Sequence, residues 1–180
     1  MNAEETIVAL RDKAAKAGLA LLLVGGHAVI SHGVSRNTFD LDLVVARERR
    51  GDWVKLLGEL GYTIYIENPN FTQLSAPNSE RLPVDLMLVN AETFEKLLEE
   101  AIQLPAHPAG VKVVCLRHLL SLKCHAIKFG HPGRIVKDVD DVINLINNND
   151  LDLRESDLRA LILKHGTEEL YEKLVRATQS

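Results

Sequence analysis

The stretch SRNTFDLDLVV, Ser35 to Val45, places two carboxylates, Asp40 and Asp42, in an otherwise apolar run. Strand interiors avoid aspartate, and a buried carboxylate costs free energy unless it is paired or coordinates a cation. Residues two apart on a strand point to the same face, about 6.6 Å apart along the strand. The pattern therefore predicts that Asp40 and Asp42 project side by side while Leu41 and Leu43 face the core.

A third acid, Asp85, opens the apolar stretch PVDLMLV further along the chain. Neighbouring carboxylates repel one another, and a divalent cation removes that conflict. Magnesium prefers oxygen ligands of this kind, so three acids on two strands could hold two cations for an in-line phosphoryl displacement. The alternative is structural, because Asp-x-Asp pairs are common by chance and an aspartate at the start of a strand can cap a turn.

Two glycines, Gly25 and Gly26, follow the apolar run LALLLV and precede HAVISHGV, which has the pattern of a short helix. Glycine lets a backbone approach an anion closely, and the start of a helix presents free N–H groups. The pair indicates either a phosphate site or a tight strand-to-helix turn with no ligand. It is neither a GxGxxG sequence nor a Walker loop.

Outward from these motifs, hydrophobic periodicity predicts a mixed α/β part up to about Leu116 and an all-helical part after it. The predicted strands cover residues 19–24, 40–46, 62–67, 71–76 and 83–89, with a short one at 111–116. The predicted helices cover residues 3–17, 27–34, 52–60, 92–102, 117–129, 136–146, 155–164 and 168–177. The fold class is therefore α/β (α+β), a small mixed sheet flanked by helices. Residues 1–115 form its core, and residues 116–180 form a helical part that packs on it.

Composition narrows the class of protein. The 180 residues are 46% hydrophobic and 26% charged, as in an ordinary globular protein. A net charge of −4 argues against a strongly basic nucleic-acid binder, although it leaves room for a local patch. Cys115 and Cys124 fit reduced thiols, and neither a signal peptide nor a membrane span is indicated. We expect a soluble cytoplasmic protein.

The run VGGHAVISHGVSRNTFDLDLVV resembles the first motif of the DNA polymerase β-like nucleotidyltransferase superfamily: two glycines, then Arg-x-Thr-x-Asp-hydrophobic-Asp. It is most similar to the nucleotidyltransferase toxins of bacterial abortive-infection (AbiE-type) toxin–antitoxin systems. The segment LRHLLSLKCHAIKFGHPGRIVKDVDDVINLI is similar to their later motifs, a helix with LxxLK followed by Lys-Asp-x-x-Asp. The resemblance extends from about Leu19 to Ile146.

The resemblance implies a role for each matching residue. Asp40, Asp42 and Asp85 would ligate two Mg²⁺ ions, or Mn²⁺, and Asp85 would also act as general base on the acceptor hydroxyl. The implied nucleotide-binding set is Gly25, Gly26, Arg36, Thr38, Lys123, Lys137 and Asp138. The glycines would cradle the triphosphate, while Arg36 would contact phosphate or hold the loop that Thr38 fixes. Lys123 would meet the phosphates from the helical part.

Lys137 and Asp138 would shape the same cleft, although they also fit ordinary surface charges near the start of a helix. The activity that the resemblance implies is transfer of a nucleoside monophosphate from an NTP to an acceptor hydroxyl. The acceptor would be an RNA or tRNA end, a protein, or a small molecule such as an aminoglycoside or lincosamide. A cognate antitoxin is an implied partner, and neither a membrane nor a duplex DNA footprint is expected. The alternative is a catalytically weak binding or regulatory module that acts through a protein partner.

Overall fold

The computed structural model describes residues 3–103, 111–130 and 132–178. Contacts divide the chain into two units. The first, here called the α/β unit, comprises Met1–Ser31 and Arg36–Cys115. The second, the helical unit, comprises His32–Ser35 and Leu116–Ser180.

The α/β unit alternates helices and short strands. Its helices are α1 (Ala3–Lys16), α2 (Gly25–Ser31), α3 (Arg50–Glu59) and α4 (Ala91–Glu99), with a 3₁₀ turn at Arg47–Arg49. Its strands are β1 (Leu22–Leu23), β2 (Leu41–Ala46), β3 (Thr63–Glu67), β4 (Phe71–Ser75), β5 (Val84–Val89) and β6 (Lys112–Val113).

The strands form one sheet in the order β3-β4-β5-β2-β1-β6. The pairs β2–β5 and β1–β6 are parallel, and the other neighbours are antiparallel. The sheet is therefore mixed, which confirms the predicted fold class. In β5, Val84, Leu86 and Leu88 are buried while the residues between them are half-buried, as the two-residue period of a strand requires.

Local sequence explains where several elements begin and end. Helix α1 ends at Lys16, and the chain then turns at Gly18, whose φ of +65° suits glycine. The N–H of Leu19 closes this turn on the Ala14 carbonyl at 2.8 Å. Helix α4 starts at Asn90, whose side chain accepts a hydrogen bond from the Thr93 N–H at 2.7 Å. The core around them is aliphatic, with Trp53 of α3, 1% exposed, as its largest side chain.

The helical unit contains α5 (Leu116–Phe129), α6 (Pro132–Asn148), α7 (Ser156–His165) and α8 (Glu168–Thr178). Its buried side chains recur at helical spacing, as in Val139, Val142 and Leu145 of α6. The segment His32–Ser35 belongs to this unit through hydrogen bonds from the end of α6. The side-chain amides of Asn148 and Asn149 donate to the carbonyls of Gly33 and His32 at 2.8 and 3.0 Å, respectively.

Several boundaries differ from the predicted ones, and the start of α2 and the start of α6 are the most informative. Only Leu22–Leu23 of the predicted strand at residues 19–24 pairs in the sheet, and α2 already begins at Gly25, so the glycines form its first turn. The sequence GHPGR lies between the helices predicted at residues 117–129 and 136–146, but α6 already starts at Pro132. Proline suits the first position of a helix because its missing N–H would have no partner there and its φ is already helical.

Two further findings concern membranes and thiols. Every helix in the described ranges is too short or too polar to cross a bilayer. Cys115 and Cys124 are free thiols, and burial raises the pKa of Cys124 to about 12. Cys124 is therefore a protonated core residue at neutral pH, and it lacks the thiolate character that a catalytic cysteine needs.

Candidate metal centre

Strand register brings the three predicted acids together. Asp42 on β2 and Asp85 on β5 are direct partners in the parallel pair, and Asp40 immediately precedes β2. One carboxylate oxygen from each of the three lies within 4.8 Å of the others. Leu41 and Leu43 are fully buried while the acids are half-buried, so the predicted alternation of β2 is confirmed.

Each carboxylate is oriented by a hydrogen bond from a neutral donor. Thr38 Oγ1 donates to Asp40 at 2.8 Å, and the Gly26 N–H donates to Asp42 at 3.2 Å. Gln73 Nε2 donates to Asp85 at 2.5 Å. These neutral donors orient the carboxylates and partly stabilise their negative charge. A divalent cation would offset the mutual repulsion of the carboxylates, because oxygen ligands grouped at this spacing are the donor set that Mg²⁺ or Mn²⁺ takes.

The glycine pair packs directly on this centre. Gly25 has a φ of +57°, and a Cβ added there would overlap the Asp42 carboxylate. A Cβ added at Gly26 would overlap the Thr38 hydroxyl. The pair thus allows the first turn of α2 to lie against the strand that carries the acids. This packing role of the two glycines is separate from the binding of phosphate by their backbone, which stays a prediction.

We expect Gly25→Ala to unfold more easily and to lose divalent-cation binding. A left-handed φ costs a non-glycine residue roughly 1–2 kcal/mol, and the overlap with Asp42 should raise the total to roughly 2–4 kcal/mol. Gly18→Ala is the matched control, because Gly18 has a φ of +65° but nothing lies within 4 Å of its added Cβ. Urea unfolding and Mn²⁺ titration measure the two effects. Equal losses in both variants would contradict the packing role.

Arg36 and Thr38 lie beside the same glycine pair. The Arg36 guanidinium comes within 3.0 Å of a Cβ built on Gly26, and Arg36 Nε donates to the Asn37 carbonyl at 3.2 Å. Thr38 Oγ1 donates a hydrogen bond to Asp40, the residue before β2, and its expected role in fixing this loop stays a prediction. The structure therefore groups all the predicted site residues of the α/β unit around one end of β2.

Two residues of this site were not predicted, Gln73 and Tyr65. Gln73 is the direct antiparallel partner of Asp85. Tyr65 lies where the register of β3 shifts between Ile64 and Ile66, a β-bulge, and bulges re-aim side chains. Partial burial raises the pKa of Tyr65, and the negative charges of Asp85 and Asp40 raise it further. Tyr65 is therefore a protonated phenol within the field of the acids, and it is 54% exposed.

The predicted residues of the helical unit have a different setting. Lys123 Nζ lies 2.6 Å from Asp138 Oδ1 and 2.7 Å from Asp141 Oδ2. All three side chains are buried, so this ion triad joins α5 to α6 inside the unit. Lys137 is exposed on α6. The phosphate contact predicted for Lys123 and the cleft-shaping role predicted for Lys137 and Asp138 stay predictions.

Comparison with known proteins finds similar structures but no similar sequence. No protein-family model and no curated protein sequence matches the chain. Its structure is similar to that of the antibiotic-resistance factor ANT(2'')-Ia, with a TM-score of 0.63, 16% identity, and coverage of 95% of this chain and 94% of the other. The chain has the nucleotidyltransferase fold.

Two more solved structures support the same fold. An antigenic nucleotidyltransferase-like protein from Paracoccidioides brasiliensis has a TM-score of 0.56 and 15% identity, over 98% of this chain and 91% of that one. The lincosamide antibiotic adenylyltransferase LnuA has a TM-score of 0.54 and 16% identity, over 84% of this chain and 100% of that one. The predicted nucleotidyltransferase fold is confirmed, whereas a particular closeness to AbiE-type toxins stays a prediction.

Proposed function

We propose that this protein transfers a nucleoside monophosphate from an NTP to an acceptor hydroxyl in a reaction that requires a divalent cation. The observation that carries the proposal is the cluster of Asp40, Asp42 and Asp85, whose carboxylate oxygens lie within 4.8 Å of one another in a nucleotidyltransferase fold. Acids that cluster on a surface by chance need not be partners in a sheet, whereas Asp42 and Asp85 are direct partners across β2 and β5.

The three carboxylates would hold the cation, and Thr38, Gly26 and Gln73 would fix their orientation. When bound, Mg²⁺ neutralises charge on the triphosphate and stabilises departing pyrophosphate. Asp85 would accept the proton of the acceptor hydroxyl. The acceptor oxygen then bonds to the α-phosphorus, and the bond from that phosphorus to pyrophosphate breaks.

Different neighbours of the acids define two sides of the site. Asp42 contacts the glycine start of α2, and glycine backbone next to a metal centre suits a triphosphate. Asp85 contacts Gln73, and Tyr65 lies in its field. We therefore assign the Gly25–Gly26 side to the NTP and the β4–β3 side to the acceptor. Gln73 and the Tyr65 phenol are suited to hydrogen-bonding a hydroxylated acceptor.

Two acceptor classes have support of different kinds. One structural neighbour is described with lincomycin bound and another with adenylyl-2"-tobramycin, which favours a small-molecule hydroxyl. The motif resemblance to AbiE-type toxins favours an RNA or tRNA end, and it is also the sole support for a toxin role and an antitoxin partner. Cation dependence is common to both classes.

The test is incubation of the wild-type protein with each α-³²P-labelled NTP, Mg²⁺ or Mn²⁺, and a panel of acceptors. The panel contains short RNAs, total tRNA, tobramycin, lincomycin and the protein itself. We expect label on one acceptor class, release of pyrophosphate, and loss of both with EDTA. Failure to label any acceptor, together with NTP binding indifferent to the cation, would refute the proposal. Cation-dependent NTP binding without transfer would favour the binding-module alternative.

A further inference from the structure

The start of the helical unit has an unusual charge distribution. Residues 116–137 contain five lysines and arginines, three histidines and no aspartate or glutamate, although the whole chain has 25 acids and a net charge of −4. Lys123 is neutralised inside the unit by Asp138 and Asp141. Arg117, Lys128, Arg134 and Lys137 are exposed. The exposed cations of this segment are therefore not interleaved with acids along the sequence, although the overall charge of the protein is negative.

The end of α7 adds further basic residues. Burial lowers the pKa of His165, and the charges that lower it further are all basic: Lys164, His125, His118 and Lys128. These groups belong to α5 and α7, and the two helices meet there, because a Cβ built on Gly166 just after α7 would lie 3.5 Å from the Cβ of Cys124 on α5. Lys128 and Lys164 are positively charged, and they would attract an anion that binds between the two helices.

An exposed aromatic ring lies beside two of these groups. Phe129, the last residue of α5, is 67% exposed. Its ring centroid lies 4.7 Å from that of His125, and the Lys128 ammonium lies 5.3 Å from it. Aromatic rings set among cations are the pattern by which proteins bind single strands, since bases stack on the rings while phosphates pair with the cations.

We propose that His125, Lys128, Phe129, Lys164 and His165, here called the basic surface, bind a single-stranded polynucleotide. Lys128 and Lys164 contact phosphates, the histidines add donors, and one base stacks on Phe129. A nucleic acid strand fits better than an acidic peptide, because every nucleotide carries both a phosphate and a flat base, whereas a peptide offers a ring only at an aromatic residue. The inference goes beyond the proposed function and does not depend on it, because none of these residues belongs to the metal centre.

The test uses fluorescein-labelled 12-mer RNA and DNA strands of the same mixed sequence, with the full chain, by anisotropy between 50 and 200 mM NaCl. We expect binding that weakens with salt, and a log–log slope that falls by about 0.7 for each lysine removed. The double variant Lys128→Gln, Lys164→Gln should therefore lose about 1.4 of slope and roughly tenfold or more in affinity at low salt. Phe129→Leu should weaken binding roughly 5- to 150-fold while the slope stays constant.

The matched control is Lys13→Gln, Lys16→Gln, which removes the same charge from exposed positions on α1. It should bind like the wild type. Absence of wild-type binding at 50 mM NaCl would overturn the proposal, as would equal losses in the control. Tighter binding of a poly-glutamate peptide with the same dependence on Lys128 would overturn it in favour of an acidic protein partner. A preference between the RNA and DNA arms would show whether the 2′-hydroxyl is read.

Discussion

Asp42→Asn is expected to reduce nucleotidyl transfer at least about a thousandfold, which corresponds to about 4 kcal/mol of transition-state stabilisation. The change keeps the size of the side chain but removes the charge that faces Asp40 and Asp85. The fold should survive, because an asparagine carbonyl can still accept the Gly26 N–H that now contacts Asp42. The free energy of unfolding should therefore stay close to that of the wild type.

The measurements are initial rates of labelled transfer, Mn²⁺ titration and urea unfolding on the same preparations. Asp52→Asn is the control, since Asp52 is exposed on α3 and paired with Arg49 at 2.6 Å. It undergoes the same chemical change outside the metal centre, and its activity should stay within twofold of the wild type. An Asp42→Asn protein that kept more than a tenth of the activity would show that Asp42 is not a ligand of the reacting complex.

Lys123→Met is expected to lower the free energy of unfolding by about 3–5 kcal/mol. The substitution keeps the apolar stem of the side chain but leaves the buried carboxylates of Asp138 and Asp141 without their shared cation. Removal of one member of a buried ion cluster is costly because the remaining charges stay desolvated. The urea midpoint measures the loss, and Lys137→Met, at an exposed position on α6, should change it by less than about 0.5 kcal/mol.

A triple variant separates the structural role of Lys123 from its predicted phosphate contact. Lys123→Met combined with Asp138→Asn and Asp141→Asn removes all three charges, and most of the lost stability should return. If NTP binding returns with stability, Lys123 acts by supporting the fold. If stability returns while cation-dependent NTP binding stays lost, the phosphate contact implied by the motif resemblance is supported. A Lys123→Met protein as stable as the wild type would contradict the structural role.

Most elements were predictable because their signals are local. Alternation along β4 and β5 and the helical spacing of α5 to α8 depend on neighbours within a few residues, and these elements form nearly where expected. Element boundaries depend on contacts that a local pattern does not contain. Gly25 lies in the first turn of α2, where the absence of a side chain lets the helix pack against Asp42. Pro132 starts α6 because the proline ring suits the first turn of a helix.

The same distinction applies to the site. Asp40, Asp42 and Asp85 could be predicted, because two-residue alternation identifies an acid that shares a strand with buried leucines. Gln73 could not, since its contact with Asp85 requires the register of β4 against β5. The Lys-Asp-x-x-Asp motif was equally consistent with surface charges. Asp138 and Asp141 are three residues apart, hence on one helical face, and that face is turned inward to Lys123.

The bulge in β3 has a consequence for solubility. β3 is an edge strand with Ile64, Tyr65 and Ile66 all exposed, a composition that favours the addition of strands from other molecules. The register shift at Tyr65 interrupts the regular spacing of backbone groups, and Glu67, paired with Arg50, places charge at the strand end. An incoming chain therefore meets a twisted, charged edge. We therefore expect the register shift at Tyr65 to oppose fibril-like self-association through this edge.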